Sequence, residues 1–267
     1  MSDGPAKIIP AATILLLRDG PEGLEVFMVV RHHQIDFASG ALVFPGGKAD
    51  PNDFEPAVAA LTDGAAADDE MRAIQISGIR ESFEECGVLL ARSDKDGNAQ
   101  SSLVSAEDLR ALEPFRKALN DGDLSIAEFL QQHALRLACD QLVHFAHWIT
   151  PEMMPKRFDT HFFLVAAPED QLAVHDGYES VDSVWIRPAD AVAQAESGER
   201  TIIFPTLRNL EKLARYHSVQ DALEGSEQEQ TVTVLPWTEK REDGVYLCIP
   251  ENAGYSLSEE KMPERRP

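Results

Sequence analysis

The sequence predicts an α/β fold, in which a mixed sheet lies between helices. Two nearly continuous apolar runs, residues 11–17 and 24–30, have the length of buried strands, and the Gly- and Pro-containing segment 19–23 between them predicts a turn. A third short strand is predicted at residues 41–44. An acid-rich amphipathic helix is predicted over residues 71–90. Strands followed by a long helix favour the α/β class.

In the second half of the chain, predicted strands and predicted helices again follow one another. Ser105 and Ser125 each precede an acid at helix-capping distance, so helices are predicted within residues 105–135. Polar composition predicts a linker at residues 224–230. The remaining predicted elements are strands at 142–149, 160–166, 181–186, 231–235 and 245–249, and helices at 188–195 and 207–216. This pattern predicts a main domain over residues 8–220, with insertions at about 50–69 and 100–140, and a C-terminal extension over residues 221–267.

Charge and composition exclude several classes of function. The 267-residue chain has a net charge of −22 and a pI near 4.6, so it repels nucleic-acid backbones and anionic membranes. No apolar run reaches the length of a membrane span, and the N-terminus lacks a signal-peptide pattern. Three cysteines without paired metal-site spacing predict free thiols in a reducing cytoplasm. The last residues are not a Ser-Lys-Leu peroxisomal address.

The predicted helix at 71–90 carries the strongest chemical signal. Glu81, Glu84 and Glu85 are spaced at i, i+3 and i+4, so a helix gathers their carboxylates on one side. Three carboxylates repel one another, and a hard divalent cation that prefers oxygen ligands reverses that cost. The alternative is a solvated acidic face. Pro45-Gly46-Gly47 ends a strand upstream, and Gly87 stands where the helix would stop.

These residues resemble a known motif. Gly46-Gly47 with Arg80-Glu81-x-x-Glu84-Glu85-x-Gly87-Val88 resembles the Nudix box, G-x5-E-x7-R-E-U-x-E-E-x-G-U, where U is a bulky aliphatic residue. The second half matches at every charged position. Gly47 lies 33 positions before Arg80, where the family pattern has 14, so about 19 residues are inserted. Eight positions before Arg80 the chain has Arg72, and none of the acids at 68–70 is in register.

The resemblance extends over roughly residues 8 to 215. Trp148-Ile149-Thr150-Pro151 and Arg157-Phe158-Asp159-Thr160-x-Phe162-Phe163 are similar to a Nudix subgroup that includes peroxisomal CoA diphosphatases and bacterial relatives. The resemblance implies a Nudix α/β/α sandwich. It also implies Mg²⁺- or Mn²⁺-dependent hydrolysis of a small diphosphate substrate, by a protein that is often a homodimer in this family. The subgroup implies CoA or acyl-CoA as the substrate.

Two other functions stay open at this point. Another group of CoA-cleaving Nudix proteins carries an Arg four residues before the Gly that precedes the FPGG turn, and here that position is Asp36. ADP-ribose or another nucleoside diphosphate derivative is therefore an alternative substrate. A Nudix-like module that senses a nucleotide without cleaving it is a third hypothesis, although a pure sensor does not need the metal-binding carboxylates.

The resemblance also implies roles for single residues. The metal ligands would be Glu81, Glu84 and Glu85, completed by a backbone carbonyl at Gly46 or Gly47. Arg80 would orient the acidic cluster, and Glu81 and Glu179 would be catalytic, with Glu179 a metal ligand or general base in a loop. Because arginine grips phosphate oxygens in a fork, two arginines are predicted to bind substrate, first Arg157 and then Arg31.

The histidines show no zinc-binding spacing. They are predicted to be surface or packing residues, and the set is His32, His33, His144, His147 and His161.

Overall fold

The structure is a computed structural model that describes residues 6–31, 40–94, 102–168, 171 and 180–262. Within these residues, strands form one mixed sheet of eight strands and two small sheets of three strands each. The strands are β1 (Ile8–Gly20), β2 (Gly23–Arg31), β3 (Leu42–Val43), β4 (Gly46–Lys48), β5 (Thr62–Asp63), β6 (Ala91–Ser93), β7 (Leu135–Ala138), β8 (Val143–Ile149), β9 (Arg157–Ala166), β10 (Ser180–Ile186), β11 (Thr233–Val234), β12 (Trp237–Arg241), β13 (Gly244–Cys248) and β14 (Glu259–Lys261).

Helices cover both faces of the large sheet. They are α1 (Pro56–Ala59), α2 (Asp69–Cys86), α3 (Ala106–Asn120), α4 (Ile126–His133), α5 (Pro188–Glu196), α6 (Phe204–Leu213) and α7 (Val219–Gln228). Short 3₁₀ helices at Pro51–Phe54, Cys139–Gln141 and Glu251–Ala253 complete the secondary structure of the described residues. The predicted α/β class with a mixed sheet is confirmed.

The large sheet has the order β10–β2–β1–β9–β8–β11, with β3 beside β2 and β4 beside β1. β1 pairs in parallel with β9 over ten residues, from Ile8 opposite Arg157 to Leu17 opposite Ala166. Its other edge pairs antiparallel with β4 near its start and with β2 near its end. β1 is therefore the strand on which the sheet is assembled.

Two apolar cores lie on opposite faces of this sheet. Ile14 and Leu16 of β1 point to one core, which they share with α2, α3 and α4. Leu15 and Leu17 point to the other core, which is closed by α5, α6 and α7. The alternation along β1 follows from the two-residue period of a strand, and burial on both faces explains its continuous apolar sequence.

Helix α2 packs closely on β1 because of a small residue at the contact. A Cβ atom added at Gly78 would lie 2.9 Å from Ile14 Cδ1 and 3.2 Å from Ala12 Cβ. Asp68 caps the start of α2 by accepting a hydrogen bond from the Met71 amide. The helix was predicted to run to residue 90 but ends at Cys86, because Gly87 adopts the left-handed conformation with φ of 69°.

The two helices predicted within residues 105–135 are present as α3 and α4. Ser105 and Ser125 cap them as predicted, by accepting hydrogen bonds from the amides of Asp108 and Glu128. Arg116 of α3 donates from Nε to the Glu84 carbonyl oxygen at 2.8 Å. A cation near the end of α2 is favourable because it satisfies a terminal carbonyl and complements the helix dipole. This segment therefore supports the end of the acid-rich helix.

The linker predicted at residues 224–230 is wrong. Residues 224–228 belong to α7, which packs against the sheet through buried Ala222 and Ser226. After α7, β11 extends the large sheet beside β8.

Candidate active site

The candidate site is organised around the guanidinium group of Arg80 on α2. Arg80 Nη1 donates to Glu81 Oε1 at 3.0 Å and to Glu84 Oε2 at 2.9 Å. Nη2 donates to the carbonyl oxygen of Lys48 in β4 at 3.0 Å. Nε donates to Asp53 Oδ1 at 3.0 Å, and Nη2 to Asp53 Oδ2 at 3.1 Å. One side chain thus joins α2, β4 and the 3₁₀ helix at Pro51–Phe54.

Asp53 was missed by the sequence analysis. Counted forward from Gly47, Asp53 follows after five residues, which is the position of the first acid in the Nudix box. The extra residues therefore lie between Asp53 and Arg80 and not before the acid. Counting back from Arg80 led to Arg72, which in the structure binds Asp69 and backbone carbonyls instead. Asp53 is 1% exposed and forms a salt bridge with Arg80.

Glu85 contacts the backbone of strand β4. Its Oε2 accepts a hydrogen bond from the Gly46 amide at 2.8 Å. A Cβ at Gly46, where φ is +152°, would overlap the carbonyl oxygen of Ala12, and a Cβ at Gly47 would overlap the Glu81 carboxylate. Both glycines are therefore required for β4 to lie against the acidic side of α2.

The acidic side of α2 is not a solvated face. Glu84 and Glu85 are 6% and 9% exposed, and the apolar residues Ile79 and Phe83 of the same helix are fully buried. The pKa of Glu84 is raised to about 7, mainly by burial and also by the neighbouring Glu81 carboxylate, while Arg80 opposes the increase. Burial also raises the pKa of Asp53, again opposed by Arg80. Carboxylates kept at a raised pKa are poised to exchange a proton for a cation.

The donor set fits a hard divalent cation, since it consists of carboxylate oxygens beside a glycine backbone. In the present side-chain conformations the three glutamates are held apart, with Glu81 and Glu84 on Arg80 and Glu85 on Gly46. Among the described residues, they do not form a group whose ligand atoms lie within 4.8 Å of one another. Metal binding would therefore require rotation of at least one glutamate side chain.

Three predicted site residues lie outside α2 and the glycine turn in the sequence, namely Arg157, Arg31 and Glu179. Arg157 is 4% exposed at the start of β9, where Nε donates to the Thr150 carbonyl oxygen at 3.1 Å. No carboxylate of the described residues lies within salt-bridge distance of its guanidinium, and the nearby Asp159 pairs with His147 and His161 instead. The backbone of Arg31 ends β2, but its side chain lies outside the described part of the structure, as does Glu179.

Three of the histidines that were interpreted as surface or packing residues lie together in one cluster on the sheet. His147 of β8 pairs with His161 of β9, and their rings stack with centroids 3.9 Å apart. His147 Nε2 is hydrogen-bonded to Asp159 Oδ1, and His161 Nε2 lies 3.8 Å from the same oxygen. His161 Nδ1 lies 3.0 Å from His144 Nε2. The remaining two histidines of that prediction lie at 32 and 33, outside the described residues.

A β-bulge explains why spacing did not reveal this cluster. Residues three apart on a regular strand point to opposite faces, yet His144 and His147 both contact His161. The register of β8 against β9 shifts between His144 and Ala146, and this extra residue turns both histidines to the same face. Burial lowers the pKa of His144 and of His161 to about 4, helped by the neighbouring His147.

Comparison with known proteins identifies the family. A family model described as the NUDT19 Nudix domain matches residues 59–213, which are more than half of the chain. The chain therefore belongs to the Nudix superfamily, in the NUDT19 Nudix domain family, and the resemblance stated from the sequence is confirmed.

Individual relatives agree with this assignment. A nudix hydrolase of Caenorhabditis elegans is 28% identical over 190 residues, which cover 71% of this chain and 56% of that protein. Human acyl-coenzyme A diphosphatase NUDT19 is 28% identical over 214 residues, covering 73% of this chain and 54% of that protein. The chain thus spans little more than half the length of these two relatives. The crystal structure of a Nudix hydrolase from Alicyclobacillus acidocaldarius has a TM-score of 0.67 and 28% identity, covering 82% of this chain and 96% of that one.

None of the helices in the described residues combines the length and the apolarity needed to cross a membrane.

The first prediction concerns the Asp53–Arg80 contact. Asp53→Asn keeps the shape of the side chain, but both Asp53 oxygens accept hydrogen bonds, one from Arg80 Nε and the other from Arg80 Nη2 and the Asp50 amide. The Asn NH₂ group cannot accept, so buried donors lose a partner and the free energy of unfolding should fall by about 1–3 kcal/mol. Asp69→Asn is the matched control, because Asp69 pairs with Arg72 at the surface, where a pair contributes about 0–1 kcal/mol. Urea unfolding of the metal-free proteins measures both. Equal losses in the two variants would contradict a special role for Asp53.

The second prediction concerns pH. Glu84 has its ordinary pKa of 4.5 in the unfolded chain and about 7 in the folded protein, so folding is favoured where the proton is bound. This contribution is fully present below pH 4.5 and is lost as the pH rises through 7. Metal-free Glu84→Gln should therefore gain stability relative to wild type between pH 5 and pH 8. Urea unfolding at both pH values measures the gap, with exposed Glu107→Gln as the control. A gap that does not change with pH would refute the prediction.

Proposed function

We propose that this protein hydrolyses the diphosphate bond of CoA or an acyl-CoA in a reaction that depends on Mg²⁺ or Mn²⁺. The observation that carries the proposal is the network in which Arg80 joins Glu81, Glu84 and Asp53 beside Gly46 and Gly47. Membership of the NUDT19 family supports hydrolysis of a diphosphate, and the name acyl-coenzyme A diphosphatase of the human and Xenopus laevis relatives supports the substrate class.

In this proposal the glutamates of α2 and the glycine turn bind the metal ion. Glu81, Glu84 and Glu85 would hold the divalent cation, with a carbonyl of Gly46 or Gly47 as a further ligand. Nudix hydrolases generally need divalent metal ions, and the choice of Mg²⁺ or Mn²⁺ is part of the proposal. The bound ion would neutralise phosphate charge and lower the pKa of a water molecule.

Proton transfer and orientation fall to the protein's own side chains. A carboxylate, either Glu81 or Glu179, would accept the proton of the attacking water. Arg80 would act as a positioning residue, since its guanidinium already binds two of the ligand carboxylates. Held by Asp53 and the Lys48 carbonyl oxygen, it fixes those carboxylates relative to β4.

Substrate binding by a chain of net charge −22 requires local cations. Arg157 is the first choice, because its Nε is bound to the Thr150 carbonyl oxygen and no carboxylate of the described residues neutralises its charge. Arg31 at the end of β2 is the second. Cleavage at the pyrophosphate of CoA would release a 4′-phosphopantetheine species and adenosine 3′,5′-bisphosphate.

The cellular location and the oligomeric state belong to the same proposal. All three cysteines are buried and none forms a disulfide, in keeping with a reducing cytoplasm. A homodimer is proposed by analogy with other Nudix proteins.

The third prediction tests the activity. Glu84→Gln and Glu85→Gln each remove a charged ligand, so turnover of CoA with Mg²⁺ or Mn²⁺ should fall by orders of magnitude while the fold is kept. The measurement is product release from CoA, with and without a chelator. Glu107→Gln, an exposed change on α3, is the control and should keep full activity. Wild-type turnover that survives the chelator, or near-normal turnover in both box variants, would refute metal-dependent hydrolysis.

The fourth prediction tests the substrate. The 3′-phosphate of CoA adds a charge that dephospho-CoA and ADP-ribose lack, and a charge-assisted hydrogen bond contributes about 1.5–3 kcal/mol. If Arg157 binds that phosphate, Arg157→Ala should lower kcat/KM for CoA about tenfold to a hundredfold more than for dephospho-CoA. Equal effects on both would refute this role for Arg157 alone. Cleavage of ADP-ribose but not of CoA by the wild type would replace the CoA proposal with the alternative substrate.

A further inference from the structure

A second group of ligand atoms lies on the sheet, apart from the box carboxylates. In the described residues, His147, Asp159 and His161 each offer one ligand atom, and these atoms all lie within 4.8 Å of one another. Asp159 Oδ1 is the shared point, because Nε2 of both histidines faces it. Two imidazoles and one carboxylate are a ligand set that suits Zn²⁺ and similar transition metals, and three protein ligands leave a further position open.

The second ring nitrogen of each of the two histidines also has a hydrogen-bond partner. His147 Nδ1 lies 2.9 Å from Thr233 Oγ1 on β11, and His161 Nδ1 lies 3.0 Å from His144 Nε2. Metal-binding histidines are commonly oriented in this way by a hydrogen bond at the second ring nitrogen, which also fixes the tautomer. Thr233 and His144 thus present both Nε2 atoms toward the same carboxylate.

The group is accessible to an ion. The side chain of Asp159 is 31% exposed, whereas those of His147 and His161 are 16% and 10% exposed. The rings now stack nearly parallel, at 14°, and His147 is hydrogen-bonded directly to Asp159. A bound ion would replace that hydrogen bond, and the two rings would tilt so that their lone pairs meet at the ion.

The strand register locates this group relative to the candidate active site. His147, His161, Ala12 and Gly47 are successive partners across β8, β9, β1 and β4, so they share one face of the sheet. Gly47 faces Glu81, which shows that this is the face covered by α2. With strands about 4.8 Å apart, His161 lies about 10 Å from Gly47. The two groups are neighbours but do not share a residue.

We propose that His147, Asp159 and His161 form a second metal site, selective for Zn²⁺ or a similar imidazole-preferring transition metal over Mg²⁺. Thr233 and His144 are its positioning residues. The site does not depend on the proposed hydrolysis, since none of its residues belongs to the carboxylate network of α2. If the hydrolase proposal also holds, a substrate that extends from the box carboxylates across β1 and β9 would approach this second ion.

Calorimetric titration of untagged, chelator-treated protein with Zn²⁺, in the presence of excess Mg²⁺, tests the site. Excess Mg²⁺ occupies hard oxygen ligands, so the remaining Zn²⁺ binding reports on imidazole ligands. Wild type should bind one Zn²⁺. His147→Gln and His161→Gln should weaken this binding about 100-fold or more, and Thr233→Val about tenfold to a hundredfold, as for loss of an outer hydrogen bond.

Two controls separate this site from other sources of binding. His217→Gln changes an exposed histidine before α7 and should leave Zn²⁺ affinity unchanged. Glu84→Gln should also leave it unchanged, even where hydrolysis is lost, so the two proposals can fail independently. Thermal unfolding checks that each variant is folded. If one of the histidine variants does not fold, Asp159→Asn is measured in its place.

Three results would overturn the proposal. The first is a wild type that does not bind Zn²⁺ in excess Mg²⁺. The second is binding that persists unchanged in the folded variants of all three ligands. The third is binding that is lost in Glu84→Gln or His217→Gln to the same extent as in the ligand variants.

Discussion

The burial of one arginine constrains the whole candidate site. A charge removed from water costs several kcal/mol unless it is paired with good geometry. Arg80 meets this requirement with carboxylates from Asp53, Glu81 and Glu84 and with the carbonyl oxygen of Lys48. These partners come from three segments of the chain, so the positions of α2, β4 and the 3₁₀ helix are fixed together. Arg80 is thus held in place before any ligand arrives, whereas at least one glutamate side chain must still rotate to bind a cation.

The close packing around this network depends on residues without side chains. Gly78 lets α2 approach β1, and Gly46 and Gly47 let β4 approach both β1 and the glutamates. Because the same strand, β1, pairs with β4 on one edge and with β9 on the other, it transmits one register across the sheet. That register brings the histidine cluster of β8 and β9 onto the face that α2 covers.

The parts of the site that are local in sequence could be predicted. Three glutamates at helical spacing and a glycine at the helix end define α2, since both rest on the 3.6-residue period and on the conformation of Gly87. Asp53 escaped prediction because its partner Arg80 is separated from it by a long insertion. The histidine cluster escaped because a bulge reverses the alternation of β8 between His144 and His147. Helix α7 was mistaken for a linker because polar composition alone does not distinguish an exposed helix from a loop.

The salt bridge between Asp53 and Arg80 also closes a loop of the chain, and the length of that loop bears on how the fold can vary. The box pattern leaves seven residues between the two positions, whereas 26 separate them here. Loop-closure entropy rises only with the logarithm of length, so this extension costs about 1 kcal/mol in chain entropy. The part of this loop that precedes α2, residues 54–68, can accordingly lengthen or shorten between related proteins while the ends of the loop stay joined. A change in the length of this segment costs little chain entropy, although the ion pair joins the two ends of the loop.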